Sequence, residues 1–232
     1  MAMLELYELA GAEEDRRFSP YCWRARLALA HKGLPAKTIA WRFTEKDKIA
    51  PSGQGRVPVL VDDGRWIADS WAIAGHLEEA YPDRPSLFGD AAGRALSRFY
   101  NNWADTVLNP GLIRLTLLDI WQHVHDKDRD YFRRSREERF GQSLEAVVAD
   151  REERVAAFRQ SLTPLRLTLQ AQPFLGGEAP LYADYIVFGG FQWVRSISDF
   201  QVLAPDDPVA AWRGRMLGLF DGLAAKAKGY PV

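Results

Sequence analysis

The sequence predicts an α/β domain followed by an all-α helical bundle. Three observations carry that prediction. Strand and helix patterns follow one another as β-α-β-α-β-β-α over residues 1–82, a turn-rich link occupies 83–90, and helical periodicity fills 91–232.

Each element has its own reason. Leu4-Glu5-Leu6-Tyr7-Glu8-Leu9 alternates apolar and polar residues, as a half-buried strand does. From Pro20 to Lys32 the period becomes helical, with Trp23, Leu27, Ala30 and Leu34 on one face. His31 and Lys32 suit the negative end of that helix, and Gly33 supplies its stop. A strand is expected over Thr38–Phe43 and a weak polar helix over Glu45–Ala50. Val57 to Val61 and Arg65 to Ala68 flank the turn Asp62-Asp63-Gly64, which makes a hairpin. Ser70 opens a helix that turns Ile73, Leu77 and Tyr81 inward, and Pro82 ends it.

In the helical part, a long polar stretch from Asp128 to Ala171 is expected to break once or twice. The alternating charges of Asp126–Arg139 read as a solvated helix face rather than a binding patch. Asp207-Pro208 starts the last clear helix, with Val209, Trp212, Met216, Leu219 and Leu223 on one face.

Bulk composition narrows the function. With 232 residues, 47% hydrophobic and 26% charged, the chain has material for a sizeable core. A formal net charge of −1 gives no attraction to nucleic acid or an anionic membrane. No apolar run is long enough to span a bilayer, and the acidic start (Glu5, Glu8, Glu13, Glu14) is unlike a signal peptide. The single cysteine permits no internal disulfide, which fits a reducing compartment, so a cytoplasmic location is expected. No metal site is read.

The stretch Phe18-Ser19-Pro20-Tyr21-Cys22-Trp23-Arg24 looks like a redox dithiol motif whose first cysteine has become serine. By its residues alone Ser19-Pro20 is an N-cap followed by a proline at the first helical position. A hydroxyl at a helix N-terminus is equally suited to holding an anion. Cys22, lacking its partner, reads as a small buried apolar residue.

The β-α-β-α-β-β-α unit, the proline opening its third strand and the helical remainder together resemble a cytosolic glutathione transferase over almost the whole chain. Arg17 to Leu29 resembles the first-helix motif of omega-type enzymes. Arg56 to Phe88 and Asp128 to Glu137 are similar to the bacterial β-etherase-like branch, which cleaves β-aryl ethers with glutathione. The resemblance implies a thioredoxin-like N-terminal domain and an all-α helical-bundle C-terminal domain. Glutathione would be the co-substrate, a hydrophobic, aromatic small molecule the other substrate, and the assembly a homodimer.

The resemblance also assigns roles. Ser19 would be the catalytic group, its O–H donating to the glutathione thiolate; Tyr21 would line the pocket. Val57, before a cis Pro58, would pair with the cysteinyl unit. Ser70 would bind the γ-glutamyl carboxylate and Asp69 the α-ammonium, although the family usually shows glutamate there. Gln54, Arg56, Lys46 and Lys48 are candidates for the glycine carboxylate. Tyr100, Trp103, Leu112, Leu115 and Trp121 are candidates for the substrate wall, with Arg114 and His123 for a departing phenolate. Phe174 to Gly189 resembles the family's helix-six signature, with Asp184 present and Leu181 at the capping position, where it cannot accept an N–H bond. A general detoxifying transferase or peroxidase, a non-catalytic binding protein of the same fold and a thiol transferase acting through Cys22 remain open alternatives.

Overall fold

The computed structural model describes residues 3–232. It opens with β1 (Leu4–Leu9), α1 (Pro20–His31), β2 (Ala36–Trp41), a 3-10 turn (Lys46–Ser52), β3 (Val59–Asp62), β4 (Arg65–Ala68) and α2 (Ser70–Ala80). The sheet order is β2-β1-β3-β4. Strand β1 runs parallel to β2 and antiparallel to β3, and β3 is antiparallel to β4. Asp63 and Gly64 both take positive φ (47° and 77°), as a two-residue hairpin turn of the strand-matching hand requires.

Several elements depart from expectation for identifiable reasons. β2 starts at Ala36 and stops at Trp41 because it pairs with β1 from Leu4↔Ala36 to Leu9↔Trp41. Phe43 is thereby released from the sheet. The weak helix expected at Glu45–Ala50 is a 3-10 turn containing Pro51, whose ring and missing N–H forbid a continued α-helix. Helix α1 does not bury one face only: Ala25, Ala28 and Leu29 are buried together with Trp23 and Leu27, since the helix is covered on both sides.

The helical part contains α3 (Ala91–Trp103), a π turn (Ala104–Leu108), α4 (Asn109–His123), α5 (Asp126–Phe140), α6 (Leu144–Val148), α7 (Arg151–Ser161), α8 (Thr163–Ala171), α9 (Tyr182–Ile197) and α10 (Pro208–Gly222). The long polar stretch therefore breaks three times rather than once or twice. Gly141 at φ 69° closes α5, and Ser143 caps α6 by accepting from the Ala146 N–H. In α10, Val209, Trp212 and Met216 are buried, but Leu219 to Asp221 leave helical geometry, so Leu219 and Leu223 lie beyond a kink rather than on the same face.

The two parts meet chiefly through α1 and α9. A side chain at Gly189 of α9 would sit 2.5 Å from the Pro20 carbonyl oxygen, so glycine lets α9 touch the N-terminal turn of α1. Asp184 anchors α9. Its Oδ1 accepts from the Leu175 N–H (2.8 Å) and Trp212 Nε1 (2.9 Å), and its Oδ2 from the N–H groups of Gly176 and Leu181 (3.0 Å each). The expectation that Asp184 satisfies backbone donors without a polar residue at 181 holds. The carbonyl of Leu87 takes the otherwise uncapped Tyr182 N–H at 2.7 Å.

The second bridge overturns the solvated-face reading of Asp126–Arg139. Asp128 is 1% exposed. Its carboxylate accepts from the Phe43 N–H (2.8 Å), the Thr44 N–H (3.1 Å) and the Thr44 hydroxyl (2.5 Å), tying α5 to the loop after β2. Charge alternation does not reveal that one acid finds three donors on another part of the chain. Asp128→Ala strands those donors, and the expected loss is about 2–3 kcal/mol of unfolding free energy, measurable from the urea midpoint.

Candidate active site

Ser19 stands where the loop after β1 turns into α1. Its backbone is extended (φ −69°, ψ 126°), Pro20 takes the first helical position, and its Oγ accepts from the Cys22 N–H at 3.3 Å. Accepting uses a lone pair and leaves the hydroxyl hydrogen free to donate. Although Ser19 is only 4% exposed, it lines a cavity of about 800 Å³ between the two parts of the chain. The positive end of α1 therefore opens into that cavity.

From the α/β side the cavity wall includes Phe18, Tyr21, Trp41, Phe43, Lys46, Arg56 and Val57. The Val57-Pro58 peptide is cis. Pro58 is buried behind Val57 and does not line the cavity. Of the four candidates for the glycine carboxylate, Lys46 and Arg56 reach the cavity, whereas Lys48 pairs with Glu45 at 3.0 Å and Gln54 is exposed elsewhere.

Asp69 and Ser70 lie at the start of α2, outside the cavity lining. Asp69 is the N-cap: its Oδ1 accepts from the N–H groups of Trp71 (2.9 Å) and Ala72 (3.1 Å). Its backbone sits at φ 79°, ψ 132°, a conformation that costs a side-chain-bearing residue about 1–3 kcal/mol. The cap contributes to offsetting that cost. Ser70 is buried, and its carbonyl accepts from the Tyr182 hydroxyl at 2.7 Å, fixing α2 to α9.

The substrate wall is not the one expected. None of Tyr100, Trp103, Leu112, Leu115, Trp121 and His123 lines the cavity. Leu112 and Leu115 are fully buried core residues, His123 meets the Tyr230 hydroxyl at 3.1 Å, and Trp121 lies beneath Arg129 and Arg133. Helix α4 has apolar residues on two faces, and it is Pro110, Ile113 and Ile120 that line the cavity. Asp105, Asn109, Tyr131, Arg136, Arg139 and Trp193 also stand on the helical side, together with Ile120, Phe132 and Ser135. Arg114 borders an adjoining pocket of about 220 Å³.

These residues were missed for physical reasons. Asp105 sits on the π turn, a local widening with no sequence signature, and Arg24 of α1 pairs with it at 2.8 Å. Tyr131, Arg136 and Arg139 belong to the charged run read as solvated. For Tyr131 and Arg136 the one available signal is the Asp128–Glu137 block with its resemblance; Arg139 lies beyond it.

Titration behaviour separates the groups. Burial, with the Glu8 charge adding to it and the Ser19 hydrogen bond opposing, pushes the Cys22 thiol up to about 12. Cys22 is 1% exposed and is held as an unreactive thiol. Burial and then Asp105 raise the Tyr21 phenol, against the lowering influence of Arg24, so it stays protonated as a donor. Burial lowers the Arg136 guanidinium, with Tyr131 opposing and Arg139 and Arg56 reinforcing the shift.

The chain thus combines a mixed four-stranded sheet, whose first helix presents a capped N-terminus to an interdomain cavity, with a helical bundle. The profile "Glutathione S-transferase, N-terminal domain" matches residues 18–80, and "Glutathione S-transferase, C-terminal domain" matches residues 95–215. The chain belongs to the glutathione S-transferase family, in which glutathione is the co-substrate. It is 31% identical over 210 residues to the glutathione S-transferase-like protein ustS of Aspergillus flavus, covering 77% of this chain and 75% of that protein. Glutathione S-transferase DHAR2 of Arabidopsis thaliana is 44% identical over 79 residues, which are 33% of this chain; the chain spans only 37% of that protein. A crystal structure of a Ceriporiopsis subvermispora glutathione S-transferase in complex with glutathione superposes with a TM-score of 0.76 at 26% identity, covering 97% of this chain and 94% of that one. Among the described residues, no helix is long and apolar enough to cross a membrane.

Proposed function

We propose a serine-type glutathione transferase in which the Ser19 hydroxyl and the N-terminus of α1 stabilise the glutathione thiolate for attack on an electrophile that carries a hydrophobic ring. The observation that carries this reading is the position of Ser19: a hydroxyl at a helix N-terminus, on the wall of an interdomain cavity. The free thiol has a pKa of about 8.5, and lowering it by roughly 2 units takes about 2.7 kcal/mol of preferential stabilisation of the anion. One charge-assisted hydrogen bond together with the helix terminus is of that order.

In this reading Val57 pairs its backbone with the cysteinyl unit as an added strand would, and Tyr21 donates from the side. The α2 N-terminus at Ser70 receives the γ-glutamyl carboxylate, while Asp69 keeps Oδ2 outside its capping bonds for the ammonium group. Lys46 or Arg56 takes the glycine carboxylate. The thiol proton leaves to solvent, the sulfur forms a bond to carbon, and the leaving group departs with its electron pair.

β-Aryl ether cleavage is the finer form of the proposal. Its support is that Tyr131, Phe132 and Arg136, from the Asp128–Glu137 block, line the acceptor side of the cavity. A cytoplasmic homodimer is part of the same reading, supported by Leu96 (41% exposed) and Phe99 (62% exposed), which leave apolar surface on α3. Sedimentation equilibrium measures the assembly.

The deciding experiment is glutathione calorimetry combined with turnover of an aryl ether, a chloronitrobenzene and a hydroperoxide. Micromolar to millimolar binding with thioether formation is expected. No binding at millimolar glutathione would make the chain a non-catalytic relative. Cys22→Ala is expected to retain conjugation while costing on the order of 1 kcal/mol of stability. Loss of conjugation in a folded Cys22→Ala protein would return the chemistry to that thiol.

A further inference from the structure

Resting on the glutathione reading, we infer that the second substrate is an anion: a ring-bearing electrophile whose carboxylate is received by Arg136 and Arg139 on the helical side of the cavity. The charge inventory points there. Four cationic side chains line the cavity (Lys46, Arg56, Arg136 and Arg139) against one acid, Asp105. That acid is already paired with Arg24 at 2.8 Å. None of the four cations makes an ion pair among the described residues; Lys46 lies over the Tyr131 ring and Arg139 over Phe140.

Glutathione accounts for part of this charge and leaves the rest. Its contacts in the proposed pose fall on the α/β side, where Lys46, Arg56 and the α2 N-terminus answer its two carboxylates. Arg136 and Arg139 stand on α5, three residues apart and on one face. The Arg136 guanidinium lies 5.2 Å from the Phe43 ring centroid and 4.6 Å from that of Phe132, and its Nη1 donates to Ser135 Oγ at 2.9 Å. Contact with two rings fixes the fork, and N–H groups beyond the one given to Ser135 remain for a planar acceptor. Guanidinium and carboxylate match in that geometry.

The surroundings supply the rest of the ligand. Pro110, Ile113 and Arg139 border both the cavity and the adjoining pocket, whose remaining walls are Arg114 and Phe140. That gives an apolar floor for a ring with guanidinium groups at its edge. A neutral hydrophobic substrate would leave these guanidinium groups facing one another without counter-charge. An anion removes that repulsion.

The test uses chlorodinitrobenzoate and its methyl ester, which undergo the same displacement: glutathione sulfur bonds to the ring carbon, the carbon–chlorine bond breaks, and chloride leaves with the electron pair; each kcat/KM is divided by the uncatalysed rate constant of that compound, because the ester is intrinsically the more activated. The full-length protein should favour the acid over the ester in kcat/KM by roughly 10- to 100-fold. Arg136→Gln and Arg139→Gln should each move that ratio toward one through KM for the acid, and Arg136→Lys should restore part of it. Should Arg136→Gln fail to fold because of its aromatic contacts, Arg139→Gln, on the exposed rim, carries the same comparison. A parent ratio of one or below overturns the inference. So does an Arg136→Gln protein whose KM rises for glutathione while the acid-to-ester ratio stays put, because Arg136 would then serve the tripeptide. Calorimetry of acid and ester on the glutathione-free protein separates the two readings. A preference for the acid that Arg139→Gln abolishes supports the anion site even if glutathione does not bind. Equal binding of acid and ester sinks it even if the ester is conjugated.

Discussion

Ser19→Ala is expected to raise the pKa of bound glutathione thiol from about 6.5 to about 8, lowering the thiolate fraction at neutral pH roughly tenfold. The argument is a comparison of two protonation states. The hydroxyl hydrogen bonds the anion strongly and the neutral thiol weakly, so its removal acts on the equilibrium between them. Turnover needs the anion, and the kcat/KM profile should therefore shift to higher pH and recover in alkali. Simple unfolding would not produce recovery.

The same side chain caps α1 through the Cys22 N–H, so a separate stability loss of about 1 kcal/mol is expected. Denaturant titration measures that part, and the ultraviolet absorbance of bound thiolate measures the other. If the absorbance at neutral pH is the same in Ser19→Ala and in the parent, the serine-type mechanism is wrong.

Asp184→Ala should be the most destabilising single change, at about 4 kcal/mol or more. Four N–H donors converge on this carboxylate, two on each oxygen; those of Leu175 and Trp212 are buried, and those of Gly176 and Leu181 are half-buried. A stranded buried donor costs about 1–3 kcal/mol, and typical domains hold only about 5–15 in total. Asp184→Asn tests the reason. It nearly preserves volume, yet its NH₂ group must face two of the donors, so it should cost almost as much as alanine. A urea midpoint for both variants close to that of the parent would show that solvent, not Asp184, satisfies these groups. The consequence reaches the site because α9 carries Gly189 against Pro20 and Trp193 in the cavity wall.

Much of this was legible along the chain because it depends on near neighbours. Ser19-Pro20 announces a helix start, Asp63-Gly64 a hairpin of fixed hand, and Pro82 the end of α2; each follows from backbone sterics and local hydrogen bonding. The boundaries of β2 were less legible, since its length is set by β1. The acceptor wall was not legible. In α4 both Leu112 and Ile113 are apolar, and only the packing partners decide which one is core and which faces the cavity.

Taken alone, then, the sequence determined the order of elements, the capped first helix with its hydroxyl, and the glutathione transferase resemblance, because these reside in contiguous residues. Tertiary structure decided that Cys22 is buried and inert, that Asp128 ties α5 to the loop holding Phe43, and that Arg136 and Arg139 face the same cavity as Ser19. Those properties depend on burial and on distances between segments a hundred residues apart. Charge and hydrophobicity along the chain report a residue's preference for water, while only the folded neighbours report whether water is there.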